Sequence, residues 1–165
     1  MKRTLLALAA MLALAGCANY QLGTTLARDL RPVLVPSVRN ESSEPGVDSL
    51  ASSAILREIQ REGTLILSSE DQAATRLDIT IVRFRLEPIR YQRDDTRAPD
   101  EYRATVVADV AFTRISDGKV LYSGAVEGDT TFPIGSDLVS AKQDMMPKAI
   151  DDLARKVIDR CISIW

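Results

Sequence analysis

Glu101–Gly128, "EYRATVVADVAFTRISDGKVLYSGAVEG", reads as two strands joined at a turn. Ala104, Val106, Ala108, Val110 and Phe112 share one parity, and Thr105, Val107, Asp109, Ala111 and Thr113 the other. That is the period of a strand with one apolar face. Asp117-Gly118 tolerates the positive φ that both central residues of a tight hairpin turn require, so the flanking strands are expected as antiparallel neighbours.

Upstream, "RLDITIVRFRLEPI" (76–89) predicts another strand, with Leu77, Ile79 and Ile81 alternating with Asp78 and Thr80. The parity then changes. Val82, Phe84 and Leu86 take over the apolar role while Arg83 and Arg85 fall where Ile81 would lead, so the strand holds a bulge or passes between environments. The polar run "YQRDDTRAPDE" (91–101) reads as the loop into the hairpin. Earlier still, "RPVLVPSV" (31–38) predicts a first strand that Pro36 places toward an edge or end, and "TLIL" (64–67) a short one.

Two segments carry helical spacing. Val47, Leu50, Ala51, Ala54, Ile55 and Ile59 form one stripe, with Gly63 set to close the helix in a left-handed conformation. Met146, Ala149, Ile150, Leu153, Ala154, Val157, Cys161 and Ile164 form a second, in which Pro147 either starts the helix or kinks a longer one from near Asp137. Two amphipathic helices need an apolar surface to cover. The expected fold is α+β: a two-layer sandwich, a mixed four-stranded sheet with both helices on one face. The other face stays wet or meets a partner.

At the start of the chain, Lys2 and Arg3 precede an uncharged run rich in Leu and Ala, the layout of a signal peptide. It is shorter than the roughly 20 apolar residues that span a bilayer. Leu14-Ala15-Gly16-Cys17 has the pattern of a lipobox, similar to that of bacterial lipoproteins, which implies a diacylglycerol on the Cys17 thiol and cleavage before it. Residues 1–16 are then a signal peptide, 17–30 a lipidated tether, and 31–165 a single domain. Ala18, rather than Asp, after the cysteine implies sorting to the outer membrane.

The 165-residue chain carries 21 Lys+Arg against 23 Asp+Glu, so bulk charge gives no basis for binding nucleic acid. Histidine is absent, which removes Ser-His-Asp and Cys-His sites and most zinc arrangements. A hydrolase would have to rest on a pair such as Ser140 with Lys142. No cofactor or metal is expected. With lipid on Cys17, Cys161 is the remaining thiol and is expected to be buried and inert.

As a set, "LAGCANYQLG" (14–23), "VLVPSVRNESSEPGVDSL" (33–50), "RFRLEPIRYQRD" (83–94), "EYRATVVADVAFTRISDGKVL" (101–121) and "DLVSAKQDMMPKAIDDLARKVID" (137–159) resemble the LptE family of lipopolysaccharide-assembly lipoproteins. The resemblance implies a non-enzymatic protein tethered to the outer membrane. It would sit as a plug in the LptD β-barrel, assist its assembly and help deliver lipopolysaccharide to the outer leaflet. The partners implied are the barrel, lipopolysaccharide and the membrane itself. An independent lipoprotein that binds a ligand or cell-wall component is the alternative.

Lipopolysaccharide binding asks for cations near phosphates, and the arginine fork suits that task. Arg83, Arg85, Arg90, Arg93, Arg97 and Arg103 are the candidates, spread over a strand end, its loop and the next strand. The alternative is that they are solvating charges that pair with Glu87, Asp94, Asp95, Asp100 and Glu101. Tyr91 and Tyr102 flank the same loop.

Overall fold

In a computed structural model, residues 26–91, 99–133 and 138–163 are described. They form six strands and two long helices: β1 (Pro32–Leu34), β2 (Arg39–Asn40), α1 (Val47–Glu62), β3 (Ile66–Leu67), β4 (Thr75–Tyr91), β5 (Pro99–Arg114), β6 (Val120–Pro133) and α2 (Leu138–Ile162). The sheet order is β3-β1-β4-β5-β6, with β2 also on β4. The sheet is mixed: β4, β5 and β6 pair antiparallel, while β1, β2 and β3 join in parallel.

The sequence pattern predicts four strands and six are present, and the cause lies in the segment 31–40. It runs along β4 throughout, Val33–Leu34 beside Thr75–Arg76 and Arg39–Asn40 beside Thr80–Ile81. Pro36 lies between the two pieces and has no N–H for the ladder, so one edge becomes two short strands. "TLIL" contributes only Ile66–Leu67, which adds outside β1 after α1 has carried the chain across.

The change of parity in β4 is a bulge. Ile81 faces Ala108 and Arg83 faces Val107, which leaves Val82 without a partner. One face therefore holds Leu77, Ile79, Ile81, Phe84 and Leu86 in register with Phe112, Val110, Ala108, Val106 and Ala104. These β5 residues are buried, together with Val33, Val47, Ala51, Ala54, Ile55 and Ile59 and the α2 stripe from Met146 to Cys161. Ile164 lies outside the described residues. Leu50, placed on the core stripe by spacing, is 40 % exposed, because it sits on the flank of α1 away from the sheet.

Local chemistry ends the elements where expected in most cases. Gly63 is left-handed and its amide donates to the Ile59 carbonyl, closing α1. Pro147 lies inside α2, so the longer helix is the one formed. The hairpin differs in its turn: the Arg114 amide donates to the Lys119 carbonyl across Ile115–Gly118, and only Gly118 has positive φ. Asp117 keeps an ordinary φ and its carboxylate accepts from the Lys119 amide.

One end of the sheet gathers three segments. The Ile66 amide donates to the Arg31 carbonyl, the Ile115 amide donates to the Ala74 carbonyl, and Val120 faces Thr113. The start of β1, the β5–β6 turn and β3 therefore share this end, the proximal end. The far ends of β4 and β5 project as a two-stranded arm in which Glu87–Tyr91 are all exposed.

Candidate functional site

Both helices lie on the face just described, so the opposite face of the sheet is bare of helix. Its rows follow from the register. Arg39 neighbours Thr80 and then Asp109; Arg83 neighbours Val107 and Glu127; Arg85 neighbours Thr105 and Asp129; Glu87 neighbours Arg103 and Thr131. Arg39, Arg83 and Arg85 thus line the β2–β4 side and Glu127 and Asp129 the β6 side, two strand spacings or about 10 Å apart, while Arg103 stands on β5 beside Glu87 of β4 and the Asp129 carboxylate also meets Lys156 of α2 at 3.1 Å. The seam between them is Thr80, Thr105 and Val107, each less than a tenth exposed with no helix over it.

The Arg39 guanidinium lies on Thr80, donating from Nε and NH2 to Oγ1 at 3.2 and 3.0 Å. Arg85 reaches Glu87 at 3.5 Å, while its Nε is shut off from solvent without a hydrogen-bond partner. Among the described residues Arg83 and Arg103 meet no carboxylate within 4 Å. Long arginine stems can cover a threonine–valine seam while carrying their charge outward, as amphipathic side chains do, and here the Arg39 head is held by Thr80 and the Arg85 head stands by Glu87. Chemically, the face offers several fork-shaped donors converging on one side of a strand, suited to phosphate or carboxylate oxygens.

The remaining candidates divide. Arg90, on the arm, is held by Asp100 at 3.3 Å and Glu101 at 3.0 Å, so it is a paired charge. Cys17, Arg93, Arg97, Asp94 and Asp95 lie outside the described residues. Tyr102 stacks on Phe132 with ring centroids 6.1 Å apart, on the core side of the arm, and Tyr91 is exposed.

The solvent side of the helix layer carries a cleft of about 550 Å³ lined by Ala54, Arg57, Glu58, Arg61, Asp151, Ala154 and Arg155. There every arginine is matched by an acid: Arg57 with Asp151 at 2.9 Å, Arg61 with Glu58 at 2.5 Å, Arg155 with Asp152 at 3.2 Å. The Arg61 hydrogen bond holds the Glu58 carboxyl below its ordinary value. Such exposed pairs contribute roughly 0–1 kcal/mol each. They leave little net charge for a ligand.

Lys142 bonds to Glu44 at 2.5 Å and lies 5.4 Å over the Phe84 ring, pinning the start of α2 to the turn before α1. Ser140, two positions away on the same helix, projects in a different direction, so the two do not make a nucleophile and base. Cys161 is fully buried and desolvation pushes its thiol up to about 12. No cluster of three His, Cys, Asp or Glu side chains suited to a metal occurs among the described residues.

Sequence reading misses Arg39. It stands 44 positions before Arg83 (83 − 39) and enters the face only because β2 pairs with β4 beside the bulge. The available signal is its place directly after the apolar run 33–38, where a second short strand keeps the same edge.

No curated protein matches the chain in sequence. Among solved structures, a hypothetical protein from Chlamydia trachomatis is similar with a TM-score of 0.58 at 14% identity, over 78% of this chain and 94% of that one. A protein from Xanthomonas campestris gives 0.56 at 14%, over 77% and 81%. A minor lipoprotein from Acinetobacter baumannii gives 0.53 at 9%, over 80% and 92%. At these identities the likeness is one of fold. Residues 30–161 match the LptE family model, described as lipopolysaccharide-assembly. The match spans the sheet, its arginine face and both helices, and the chain belongs to the LptE family of non-catalytic, lipid-anchored lipoproteins at the periplasmic side of the outer membrane.

Proposed function

We propose that the chain is the lipoprotein plug of an LptD-type β-barrel, assisting barrel assembly and the delivery of lipopolysaccharide to the outer leaflet. Family membership supports the class of partner. The observation that carries the reading is the helix-free sheet face, where Arg39, Arg83 and Arg85 gather on the β2–β4 side of a closed threonine–valine seam and Arg103 stands on β5. In the cleft on the helix layer, by contrast, each arginine meets an acid. A protein held inside another needs one such face for polar contact, because charges buried at an interface require partners.

In this reading residues 1–16 are removed, Cys17 carries the lipid, 17–30 is the tether and 31–165 the folded domain. The lipopolysaccharide contacts are Arg83, Arg85 and Arg103, joined by Arg39. Arg90 is a secondary candidate because its charge is already met, and Arg93 and Arg97, between the two strands of the arm, are further candidates. Purification of the lipidated protein from detergent-solubilised outer membrane tests the plug: a barrel of much larger mass should come with it in equal amount. A protein that elutes alone refutes it. Cys17→Ala should abolish both lipid labelling and membrane fractionation.

A further inference from the structure

β6 forms one whole edge of the sheet, and among the described residues no strand pairs with its outer side. The Asp129 amide turns away from β5 to the Asp152 carboxylate. Antiparallel pairing alternates, so the amides and carbonyls of Ser123, Ala125 and Glu127 also point outward. Asp152 and Lys156 of α2 close the edge at Asp129. From Ser123 to Glu127 no described residue accepts from the outward amides, and all three residues are exposed. Sheet edges are normally blunted by short strands, charges, prolines or bulges. The other side of this sheet follows that rule: β3 has two residues, and the uncovered part of β4 carries the Val82 bulge, Arg83, Arg85 and Pro88. Ser123-Gly124-Ala125-Val126 carries none of these, and a groove of about 390 Å³ separates Ala125–Glu127 from Lys156, Asp159 and Arg160 of α2.

Two features choose what fits there. The first is steric. α2 stands directly over β6, since a β-carbon at Gly128 would overlap the Leu153 amide nitrogen. An added strand lies about 4.8 Å from β6, whereas helices packed side by side need about 8–10 Å. A second copy paired antiparallel through its own β6 keeps its helix layer on the same side, so its α2 would collide with this one. The occupant is therefore a strand with no helix over it, as the strands and loops of a β-barrel are. The second feature is charge. Glu127 and, one strand inward on the same face, Asp109 are exposed, and neither meets a cation within 4 Å among the described residues. A strand beside β6 sends alternate side chains to that face, where a Lys or Arg would answer these acids.

We propose that an extended segment of the barrel partner adds as a further strand along Ser123–Glu127 of β6, with a Lys or Arg of that segment facing Glu127. The inference deepens the plug reading and rests on it. Main-chain hydrogen bonds supply the attachment, and the basic side chain fixes the register. The added strand stops where Asp152 already fills the Asp129 amide. Contact with the barrel then falls on the acidic border of the helix-free face and leaves Arg39, Arg83 and Arg85, on the β2–β4 side, for lipopolysaccharide.

The test is recovery of the barrel with the lipidated protein from detergent-solubilised outer membrane. Ala125→Pro removes one outward amide and sets a ring against the incoming strand, while the bonds from Gly124 and Val126 to β5 are kept. Recovery should fall by at least about tenfold, and Ala125→Val, which keeps the amide, should match the parent. Glu127→Lys should lower recovery by at least about threefold. Recovery equal to the parent's with Ala125→Pro or Glu127→Lys overturns the proposal and leaves the plug reading standing; a parent that elutes alone overturns both. Hydrogen exchange on the parent, read amide by amide, decides the matter even if the proline variant fails to fold. The Ser123, Ala125 and Glu127 amides should exchange at least about tenfold more slowly in the complex than in the lipidated protein made without the barrel. No gain in protection overturns the proposal. Protection already present without the barrel also overturns it, because the edge is then filled by the chain's own segments or by a second copy.

Discussion

Gly128 of β6 lies directly against Leu153 of α2. A β-carbon at Gly128 would overlap the Leu153 amide nitrogen, the Ala149 carbonyl oxygen and the Leu153 Cβ. Two of those three atoms are helix backbone, which cannot rotate aside. The glycine is therefore what lets α2 settle on the sheet and bury Ala149, Leu153 and Val157.

Gly128→Ala should lower stability by about 3 kcal/mol, the upper range for overpacking, because the helix must lift from the sheet. Gly124→Ala is the comparison. There a β-carbon meets only the Tyr122 ring, at 3.3 and 3.7 Å, and a side chain can yield. Denaturant melts of the two variants should differ by about 2 kcal/mol or more; equal midpoints would remove the close approach as the cause.

Cys161 gives a direct report on global unfolding. It is fully buried at the end of α2 and burial pushes its thiol up to about 12, so the reactive thiolate is suppressed twice over. In the folded protein, labelling with a thiol reagent at neutral pH should be at least about a hundredfold slower than in denaturant, tracking the melt. Fast labelling under native conditions would show that the end of α2 opens on its own.

Much of the fold is legible in the sequence, and the limits have physical causes. The buried faces of β4, β5 and α2 follow from period, since each strand keeps one parity and each helix one stripe. The β4 bulge announces itself where Arg83 breaks the alternation. The splitting of the first strand does not, because it depends on Pro36 lying beside a strand forty residues later in the chain. Arg39 is missed for the same reason, since its neighbour Thr80 is brought beside it only by the β2–β4 pairing. The hairpin is readable but its turn is not: Asp117 meets the Lys119 amide with its side chain, so the loop needs just one left-handed residue. Charge pairing of Arg90 requires knowing that the arm continues to Tyr91 and Pro99.

Asp152 joins α2 to the open edge of the sheet. Its carboxylate accepts the Asp129 amide of edge strand β6 at 3.0 Å and meets Lys156 at 2.6 Å. Burial pushes this carboxyl up, but the Lys156 ammonium, the Asp129 amide and Arg155 together outweigh burial and leave it below the ordinary value. The unfolded chain, with aspartate near about 3.9, then takes the proton first as pH falls. The stabilisation is therefore whole above that value and is lost as pH drops through the lower folded value. Melts at about pH 7 and about pH 3 should show a smaller acid-induced loss for Asp152→Asn than for the parent. At neutral pH, Asp152→Ala should cost about 1 kcal/mol, the net worth of a hydrogen bond whose acceptor water can replace at this exposed amide. An identical acid loss in parent and Asn variant would show that other carboxylates govern the response.

The arginine face gives the sharpest separation of site from scaffold. Arg83 and Arg85 stand beside each other on one side of β4, Arg83 with no carboxylate within 4 Å among the described residues and Arg85 with one at 3.5 Å. Arg90, only five positions further along, is met by two. Proximity in sequence and similarity in residue type would rank all three alike, whereas pairing ranks them apart. Arg83→Glu with Arg85→Glu should reduce capture of lipopolysaccharide by tenfold or more at low salt. The difference should narrow as salt rises, since exposed charges separated by about 10 Å are screened near 0.1 M. Arg90→Glu sets a new acid beside Asp100 and Glu101 but removes a charge that was already neutralised, so it should change capture by less than about threefold. Melts of both variants should stay close to the parent, because neither site faces the core. If Arg90→Glu weakens capture as much as the double reversal, the arm rather than the sheet face holds the lipopolysaccharide, and the assignment of Arg39, Arg83 and Arg85 falls.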